Sequence, residues 1–308
     1  MPEGVLEKLS VRPGMPAEYR MVLRSMQDEG AEAEHSVDIN ALLGKQLRIE
    51  FDGHISCCHC ARETRKSYGE GYCYRCFRTL ARCDLCVLSP ARCHYQQGTC
   101  REPAWGESFC MQPHVVYLAN ASGPKVGITR RDQQRTRWLD QGAVQGMLVA
   151  AAASRHLAGV LEATLARHVS DRTDWRAMVQ AHAPAVDLPG LRDRLRGLVP
   201  GLPAGVEWLD APLETLEFPI LRYPREPRRL RLQPGEAVTG RLVGAKGQYL
   251  LFDHGVFSVR QHRAHHVRVS WCDADDAEVN DADNDADGAS SNQPGALNRQ
   301  RRDQMELF

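Results

Sequence analysis

The sequence predicts an α+β protein. A cysteine-rich module precedes a small β-β-α-β-α domain, small β-rich segments flank the two, and an acidic C-terminal tail is disordered. Three observations predict this organisation. Ten of the 11 cysteines lie between residues 57 and 110, and two strand-like runs, a helix, a strand and a helix follow. After residue 272 there are ten acidic residues, three arginines and few large apolar residues, a composition that favours disorder.

Composition limits the class of protein. The chain has 308 residues, of which 43% are hydrophobic and 25% charged, as in ordinary globular proteins. No apolar run approaches the roughly 20 residues that span a bilayer, and the N-terminus lacks a signal-peptide pattern. We therefore expect a cytoplasmic protein without a membrane partner. The net charge of zero divides into a basic body and an acidic tail, and a basic body suits a polyanionic partner.

Residues 1–54 form the predicted N-terminal β segment. The runs at residues 19–23 and 46–51 have the composition of strands, and the second alternates apolar and polar residues as a half-buried strand does.

The cysteine module is predicted at residues 55–112. Cys57-x2-Cys60 and Cys73-x2-Cys76 are two CxxC pairs separated by 12 residues. Each pair can place two thiolates on one ion, so the two pairs complete a tetrahedral sulfur shell for a structural zinc ion. Cys58 is then a bystander. Two alternatives remain, an iron–sulfur cluster and cysteines buried as small hydrophobic residues.

A second group of thiols follows within the same module. We favour Cys83, Cys86, Cys93 and Cys100 as ligands of a second structural zinc ion, with Cys110 as the first substitute. His94 and His114 are further candidates, so the choice of ligands stays open.

Residues 113–182 carry the β-β-α-β-α pattern. Strands are predicted at 115–119, 125–129 and 146–151, and a polar helix at 131–141. A second helix is predicted from about residue 155 to 169, because Leu157, Val160, Leu161 and Leu165 recur at helical spacing.

Two strands and a helix of this domain resemble the GIY-YIG nuclease superfamily. The resemblance rests on Val116-Tyr117, on Lys125-Val126-Gly127-Ile128-Thr129, on Arg135 or Arg137, and on Glu162. It implies that Tyr117 helps to activate water, that Arg135 or Arg137 binds the scissile phosphate, and that Glu162 binds Mg²⁺ or Mn²⁺. Lys125 stands where the second tyrosine of the superfamily would be, as in relatives regarded as DNA-binding domains. The resemblance therefore leaves open a metal-dependent endonuclease or a degenerate domain that only binds DNA, and each residue also has an ordinary structural alternative.

Longer stretches resemble the bacterial domain-of-unknown-function family numbered 2797. The matching motifs lie at residues 71–76, 100–107, 117–120, 125–130, 136–138 and 246–250. This resemblance implies membership of a family and no particular activity.

The C-terminal third is predicted to consist of a helical linker at residues 183–204, a small β domain at 205–272 and the disordered acidic tail at 273–303. A turn at residues 244–247 separates two strand-like runs of the β domain. We expect the N-terminal strands to complete this β domain as a small barrel or sandwich.

The last five residues, 304–308, resemble the peptide by which bacterial DNA polymerases and repair proteins bind the sliding clamp. Gln304 supplies an amide, while Met305, Leu307 and Phe308 supply apolar side chains for a pocket. A chance match is the alternative.

Taken together, these features predict a zinc-containing DNA-binding or DNA-processing protein that is recruited by the sliding clamp. Two other functions remain open. One is a non-catalytic, zinc-dependent RNA-binding factor that grips single strands. The other is a zinc-scaffolded protein–protein adaptor.

Overall fold

A computed structural model describes residues 1–25, 34–199 and 201–273. Over these residues the fold is mixed α+β, with two sheets and seven α-helices. The predicted acidic tail, apart from residue 273, and the clamp-binding-like peptide lie outside the described residues.

The elements are short, and the strands outnumber the helices. The strands are β1 (Glu3–Leu6), β2 (Ser10–Arg12), β3 (Glu18–Arg24), β4 (Glu34–Asp38), β5 (Gln46–Ile55), β6 (His114–Asn120), β7 (Pro124–Arg130), β8 (Gln145–Ala152), β9 (Val206–Trp208), β10 (Glu214–Thr215), β11 (Arg229–Leu230), β12 (Ala237–Lys246), β13 (Tyr249–Phe252), β14 (Gly255–Ser258) and β15 (His265–Cys272). The α-helices are α1 (Tyr74–Thr79), α2 (Leu85–Leu88), α3 (Pro103–Phe109), α4 (Gln134–Asp140), α5 (Arg155–Leu165), α6 (Trp175–Gln180) and α7 (Leu188–Leu198).

The larger sheet joins the two ends of the described chain. Its ten strands follow the order β11-β14-β13-β12-β5-β15-β1-β3-β2, and β4 pairs with β3. The long strand β5 lies between β12 and β15, antiparallel to both. β5 alternates buried and exposed residues over its first half, as its sequence predicts. The expected pairing of N-terminal strands with C-terminal strands is thus present.

The smaller sheet contains the predicted hairpin. The strand β6 is central and pairs antiparallel with β7 on one side and β8 on the other. Val116 and Leu118 on one face belong to a core shared with α5 and α7. Tyr117 on the other face belongs to a core that also contains residues of the larger sheet. The smaller sheet is therefore covered on both faces.

One helix boundary differs from the sequence prediction, and another is set by a local cap. The helix α5 ends at Leu165 rather than near residue 169. The helix α7 starts at Leu188, because the Asp187 side chain accepts a hydrogen bond from the Gly190 backbone N–H at 2.9 Å and Pro189 occupies the first turn, where proline is tolerated.

A short motif joins three parts of the chain. The strand β12 continues through Lys246 rather than turning at residue 244, and Gly247 makes the turn with φ of +60°. The Gln248 side chain then exchanges hydrogen bonds with the Leu9 backbone, at 2.8 and 3.0 Å, and donates to Asp140 Oδ1 at 2.9 Å. These hydrogen bonds tie the end of α4 to the larger sheet.

Among the helices that the structure describes, none combines the length and apolar character needed to cross a membrane.

Candidate functional site

The first CxxC pair lies in a tight loop directly after β5. Ser56 forms a bridge with Glu63 that closes the loop, and the Cys57 N–H donates to the Arg62 carbonyl at 2.9 Å. Ala61 turns the chain back with φ of 56°, in the left-handed region. The loop brings the thiols of Cys57 and Cys60 to one side.

The second CxxC pair lies where a turn enters α1. Cys73 is the residue before the helix and Cys76 lies within its first turn, so both thiols face the same way. A backbone hydrogen bond of 2.8 Å from Cys58 N–H to the Gly71 carbonyl ties the two loops together.

These four cysteines, the first thiol cluster, have the geometry of a metal site. The sulfur atoms of Cys57, Cys60, Cys73 and Cys76 all lie within 4.8 Å of one another. The sulfurs of Cys60 and Cys73 are 3.8 Å apart, and none of the four is in a disulfide. Four Zn–S bonds of about 2.3 Å in a tetrahedron would place sulfurs about 3.8 Å apart. The cluster could therefore hold a metal ion, and its donor set suits zinc.

Backbone N–H groups prepare one of these thiols for metal binding. Burial acts to raise the pKa of Cys57, but hydrogen bonds from the backbone N–H groups of Cys60, Cys73 and His59 outweigh it and lower that pKa to about 6. The thiolate is the form that binds metal.

Cys58 and Cys83 lie beside the first thiol cluster rather than in it. Cys58 is half-buried, and burial raises its pKa. Cys83 packs against the small buried core that contains Cys57, Cys73 and Cys76.

The remaining predicted ligands meet elsewhere. Cys86, Cys93, Cys100 and Cys110 line one cavity with Asp84 and His94, and Cys83 does not line it. Asp84, Cys86 and His94 also have ligand atoms within 4.8 Å of one another.

A second assembly surrounds Tyr117 in the smaller sheet. Tyr117 is 0% exposed and lies directly opposite Gly127 on β7. A Cβ at position 127 would lie 2.4 Å from the Tyr117 hydroxyl, so only glycine leaves room for the ring. The hydroxyl donates to Gln141 Oε1 at 3.1 Å and accepts from Gln141 Nε2 at 2.9 Å. The glycine thus fixes where the phenol can lie.

Charged side chains from three other elements gather near this phenol. We call Tyr117, Lys125, Arg137, Arg155 and Glu162 the central cluster. Burial raises the pKa of Glu162 to about 7, although the charges of Arg155 and Arg137 oppose that rise. Burial and then the charge of Arg137 lower the pKa of Lys125 to about 8. The charges of Arg155, Arg137 and Lys125 thus act to lower the pKa of the Glu162 carboxyl, and the charge of Asp171 acts to raise it.

The two candidate arginines of α4 point to different partners. Arg135 pairs with Glu214 of β10, with 2.6 Å between Nε and Oε2. Arg137 lies near Tyr117 and Glu162. The structure therefore brings Tyr117, Lys125, Arg137 and Glu162 together, and Arg135 is engaged elsewhere.

Sequence patterns did not predict two residues that lie at this site. Arg155 begins α5 and Gln141 follows α4, and neither belongs to a motif. The packing of α4 and α5 on the same sheet brings Gln141 to the Tyr117 hydroxyl and Arg155 close to Glu162.

The predicted partner-binding residues Gln304, Met305, Leu307 and Phe308 lie outside the residues that the structure describes.

Comparison with known proteins identifies a family. The family model described as "Protein of unknown function (DUF2797)" matches residues 44–267. No curated protein and no solved structure matches the chain. Because the family model covers most of the sequence, the chain belongs to the DUF2797 family.

Proposed function

We propose that this member of the DUF2797 family is a zinc-containing DNA-binding protein with a GIY-YIG-like central domain. In this proposal the first thiol cluster holds a structural zinc ion, and the central cluster contacts the phosphate backbone of DNA. The domain corresponds to residues 113–182, as the sequence resemblance implies.

The order and pairing of elements support the fold assignment. The hairpin of β6 and β7 is followed by α4, β8 and α5, which is the order implied by the resemblance. The sheet is antiparallel with β6 in the centre, and α5 packs on the face that contains Val116 and Leu118.

One observation carries the proposal, the assembly of the central cluster. Tyr117, Lys125, Arg137 and Glu162 come from β6, β7, α4 and α5, and Arg137 and Glu162 each lie close enough to affect the pKa of both Tyr117 and Lys125. A guanidinium donates paired hydrogen bonds to phosphate, and an ammonium adds a positive charge. Lys125 Nζ has one hydrogen bond, to Thr173 Oγ1 at 3.3 Å, so it retains donors for a ligand.

Cleavage is a second candidate function, favoured by the presence of Glu162 in the same cluster. Glu162 belongs to no group of three close ligand residues within the described ranges. A single carboxylate nevertheless suits Mg²⁺ or Mn²⁺, because such ions often complete their shell with water and substrate phosphate. The bound metal would offset charge on the phosphate. The Tyr117 hydroxyl would act together with Gln141, its hydrogen-bond partner.

Arg135 and Arg137 provide a matched test of DNA binding. Both lie on α4, but Arg135 is paired with Glu214 and Arg137 belongs to the central cluster. We expect Arg137→Ala to weaken binding to a short labelled duplex about 10-fold, which corresponds to about 1.4 kcal/mol. Arg135→Ala should change it less than about 2-fold, within the usual effect of an exposed ion pair. Fluorescence anisotropy measures both.

Salt dependence and competitors sharpen the same experiment. Loss of one phosphate contact should reduce the slope of log affinity against log salt by about one in Arg137→Ala. Equal affinities of wild type and Arg137→Ala would remove the central cluster from the interface. Tighter binding of single-stranded RNA than of DNA would favour the RNA-binding alternative.

Cleavage is tested separately with branched and nicked DNA in Mg²⁺ or Mn²⁺. If the domain cleaves, Glu162→Ala and Tyr117→Phe should each abolish cleavage and leave DNA affinity nearly intact. Equal cleavage by wild type and both variants would indicate contamination or another site. Binding without cleavage in the wild type would support a degenerate domain.

Recruitment by the sliding clamp remains part of the proposal and rests on the sequence alone. A synthetic peptide ending in residues 304–308 should bind the bacterial clamp with a micromolar Kd, about −8 kcal/mol. Replacing Leu307 and Phe308 by Ala should remove most of that affinity, because they would be the apolar anchors. Unchanged binding of full-length protein without residues 304–308 would contradict recruitment through this peptide.

A further inference from the structure

We propose that Cys86, Cys93, Cys100 and Cys110 form a second centre for a thiophilic divalent cation such as zinc, and that this centre holds the start of α5 in place. We call these four residues the second thiol cluster. The sequence spacing favours Cys83 in this set, whereas the tertiary structure points to Cys110.

Separate local structures bring each thiol to the shared cavity. Cys86 lies in α2, whose N-terminus is capped by the Asp84 carboxylate accepting from Cys86 N–H at 3.3 Å. Cys93 follows a turn at Pro90–Arg92, and Cys110 follows α3. The Cys100 sulfur lies close to α3, 3.3 Å from the position of a Cβ on Gly106. All four thiols line one cavity.

The four thiols are shielded from solvent to similar degrees. Cys86, Cys93 and Cys100 are half-buried, and Cys110 is buried. Four sulfur donors that line one cavity match the four-thiolate ligand set of a closed, structural zinc site. Among the groups that line this cavity, Asp84, Cys86 and His94 have ligand atoms within 4.8 Å of one another.

Cys83 lies with the first thiol cluster and not with the second. It packs with the core of the first thiol cluster and does not line the cavity of the second. The pair Cys83-x2-Cys86 therefore spans the two clusters instead of chelating one ion. In this proposal Cys110 therefore takes the place that the regular CxxC spacing favours for Cys83.

Asp84 and His94 line the same cavity but already have partners. The Asp84 carboxylate pairs with Arg101 Nε at 2.7 Å and caps α2. His94 Nδ1 lies 2.8 Å from Thr99 Oγ1, and its Nε2 lies 3.7 Å from Asp84. These two residues thus support the walls of the cavity, while four thiols remain to bind the ion.

The second thiol cluster is coupled to α5 through backbone contacts. The Arg155 N–H donates to the Cys110 carbonyl at 2.8 Å, and its guanidinium donates to the Val87 carbonyl, one residue after Cys86. Gly159 lies against the turn before Cys93, where an added Cβ would be 2.4 Å from Pro90. Metal at the second thiol cluster would therefore fix the segment on which α5 rests. Glu162 also lies on α5, so the metal would help to hold Glu162 in the central cluster. This consequence rests on the proposed function.

The first experiment measures zinc in full-length protein by elemental analysis. We expect two zinc ions per chain in the wild type and one in Cys110→Ser and Cys86→Ser. Cys83→Ser and His94→Ala should keep two. Two zinc ions in Cys110→Ser, or one in Cys83→Ser, would overturn the ligand assignment. Loss of one zinc ion in His94→Ala would show that the His94 imidazole is a ligand in place of one of the four thiols.

A second experiment does not depend on variants that fold. Wild-type protein is treated with a thiol reagent before and after a strong chelator, and labelled cysteines are mapped by mass spectrometry. Labelling of Cys86, Cys93, Cys100 and Cys110 should depend on the chelator, and labelling of the exposed Cys272 should not. Labelling of Cys110 without chelator, at the rate of the exposed Cys272, would overturn the proposal.

Hydrogen exchange tests the coupling to α5. Residues 155–165 should lose amide protection at least 10-fold in Cys110→Ser and retain it in Cys83→Ser. Unchanged protection in Cys110→Ser with one zinc ion lost would leave the metal site standing and remove its role in holding α5. None of these measurements uses DNA, so their failure is distinguishable from failure of the proposed function.

Discussion

The first thiol cluster and the central cluster are built in opposite ways. Two local turns, each with two thiols three residues apart, supply all four thiols of the first thiol cluster. The central cluster takes single residues from β6, β7 and α4 and two from α5. The first depends on short-range backbone geometry, and the second exists only when a sheet and two helices pack.

This difference predicts different responses to change. In a site that folds around metal, loss of one ligand removes the energy that holds the loops together. In a cluster supported by a packed sheet, most single changes should leave the fold intact and alter charge or fit locally. The predictions below test that contrast from the largest expected effect to the smallest.

The largest effect is expected for Cys76→Ser in the first thiol cluster. Structural zinc sites couple about 10 kcal/mol or more of binding free energy to folding, so the module should lose its metal and its folded loops. Zinc content measured by elemental analysis should fall by one ion per chain, and heating should show a lost or lowered transition. Cys58→Ser is the matched control, since Cys58 lies outside the cluster of four. Full zinc content in Cys76→Ser would show that this thiol is not a ligand.

A smaller effect is expected where the central cluster is packed most tightly. Gly127→Ala would place its Cβ 2.4 Å from the Tyr117 hydroxyl and 2.5 Å from the adjacent ring carbon. Such overpacking costs about 1–3 kcal/mol, which chemical denaturation of the full chain can measure. Gly197→Ala is the control, because a Cβ at that position would have no neighbour within 4 Å. Gly123→Ala is unsuitable, because the φ of +146° at Gly123 would itself strain an alanine.

A double variant separates the Tyr117 contact from a general effect of alanine in a strand. Tyr117→Leu removes the ring, so the combination with Gly127→Ala should be less destabilised than the sum of the two single changes. Additive free energies would mean that Gly127 is needed for a reason other than the ring.

The smallest effect is a pH dependence that arises from Glu162. Burial raises the pKa of this carboxyl to about 7, above the value of about 4.3 in an unfolded chain. Between these values the folded state holds a proton that the unfolded state has released, so its contribution to stability is lost as pH rises. Glu162→Gln should therefore match the wild type near pH 4.5 and exceed it at pH 8 by about 1–2 kcal/mol, allowing for partial solvation.

Thermal unfolding across that range measures the effect. Glu207→Gln, at an exposed position of β9, should retain the pH dependence of the wild type. The same profile in Glu162→Gln as in the wild type would show that Glu162 is not buried in its acidic form.

Much of the fold could be predicted from local patterns. The hairpin of β6 and β7, the strand β8 and the start of α5 follow from alternation and helical spacing, which depend on neighbouring residues. The helix α6 was not predicted, because it is short and its cap, Asp174, lies in a polar stretch. Lys246 looked like part of a turn but is buried in β12, where its Nζ lies 3.3 Å from the Ala181 carbonyl oxygen. Only a partner distant in sequence makes that burial possible.

The sequence by itself determined the first thiol cluster, because two CxxC turns contain all of its geometry within residues 57–76. It also determined the family and the order of elements around Tyr117. Only the tertiary structure shows that Arg135 pairs with Glu214 whereas Arg137 lies near Tyr117. It alone shows that Cys110 lines the cavity with Cys86 whereas Cys83 does not, and that Arg155 lies close to Glu162. In each of these choices the candidates look alike in local sequence. The packing of segments far apart in the chain decides which side chain reaches the site.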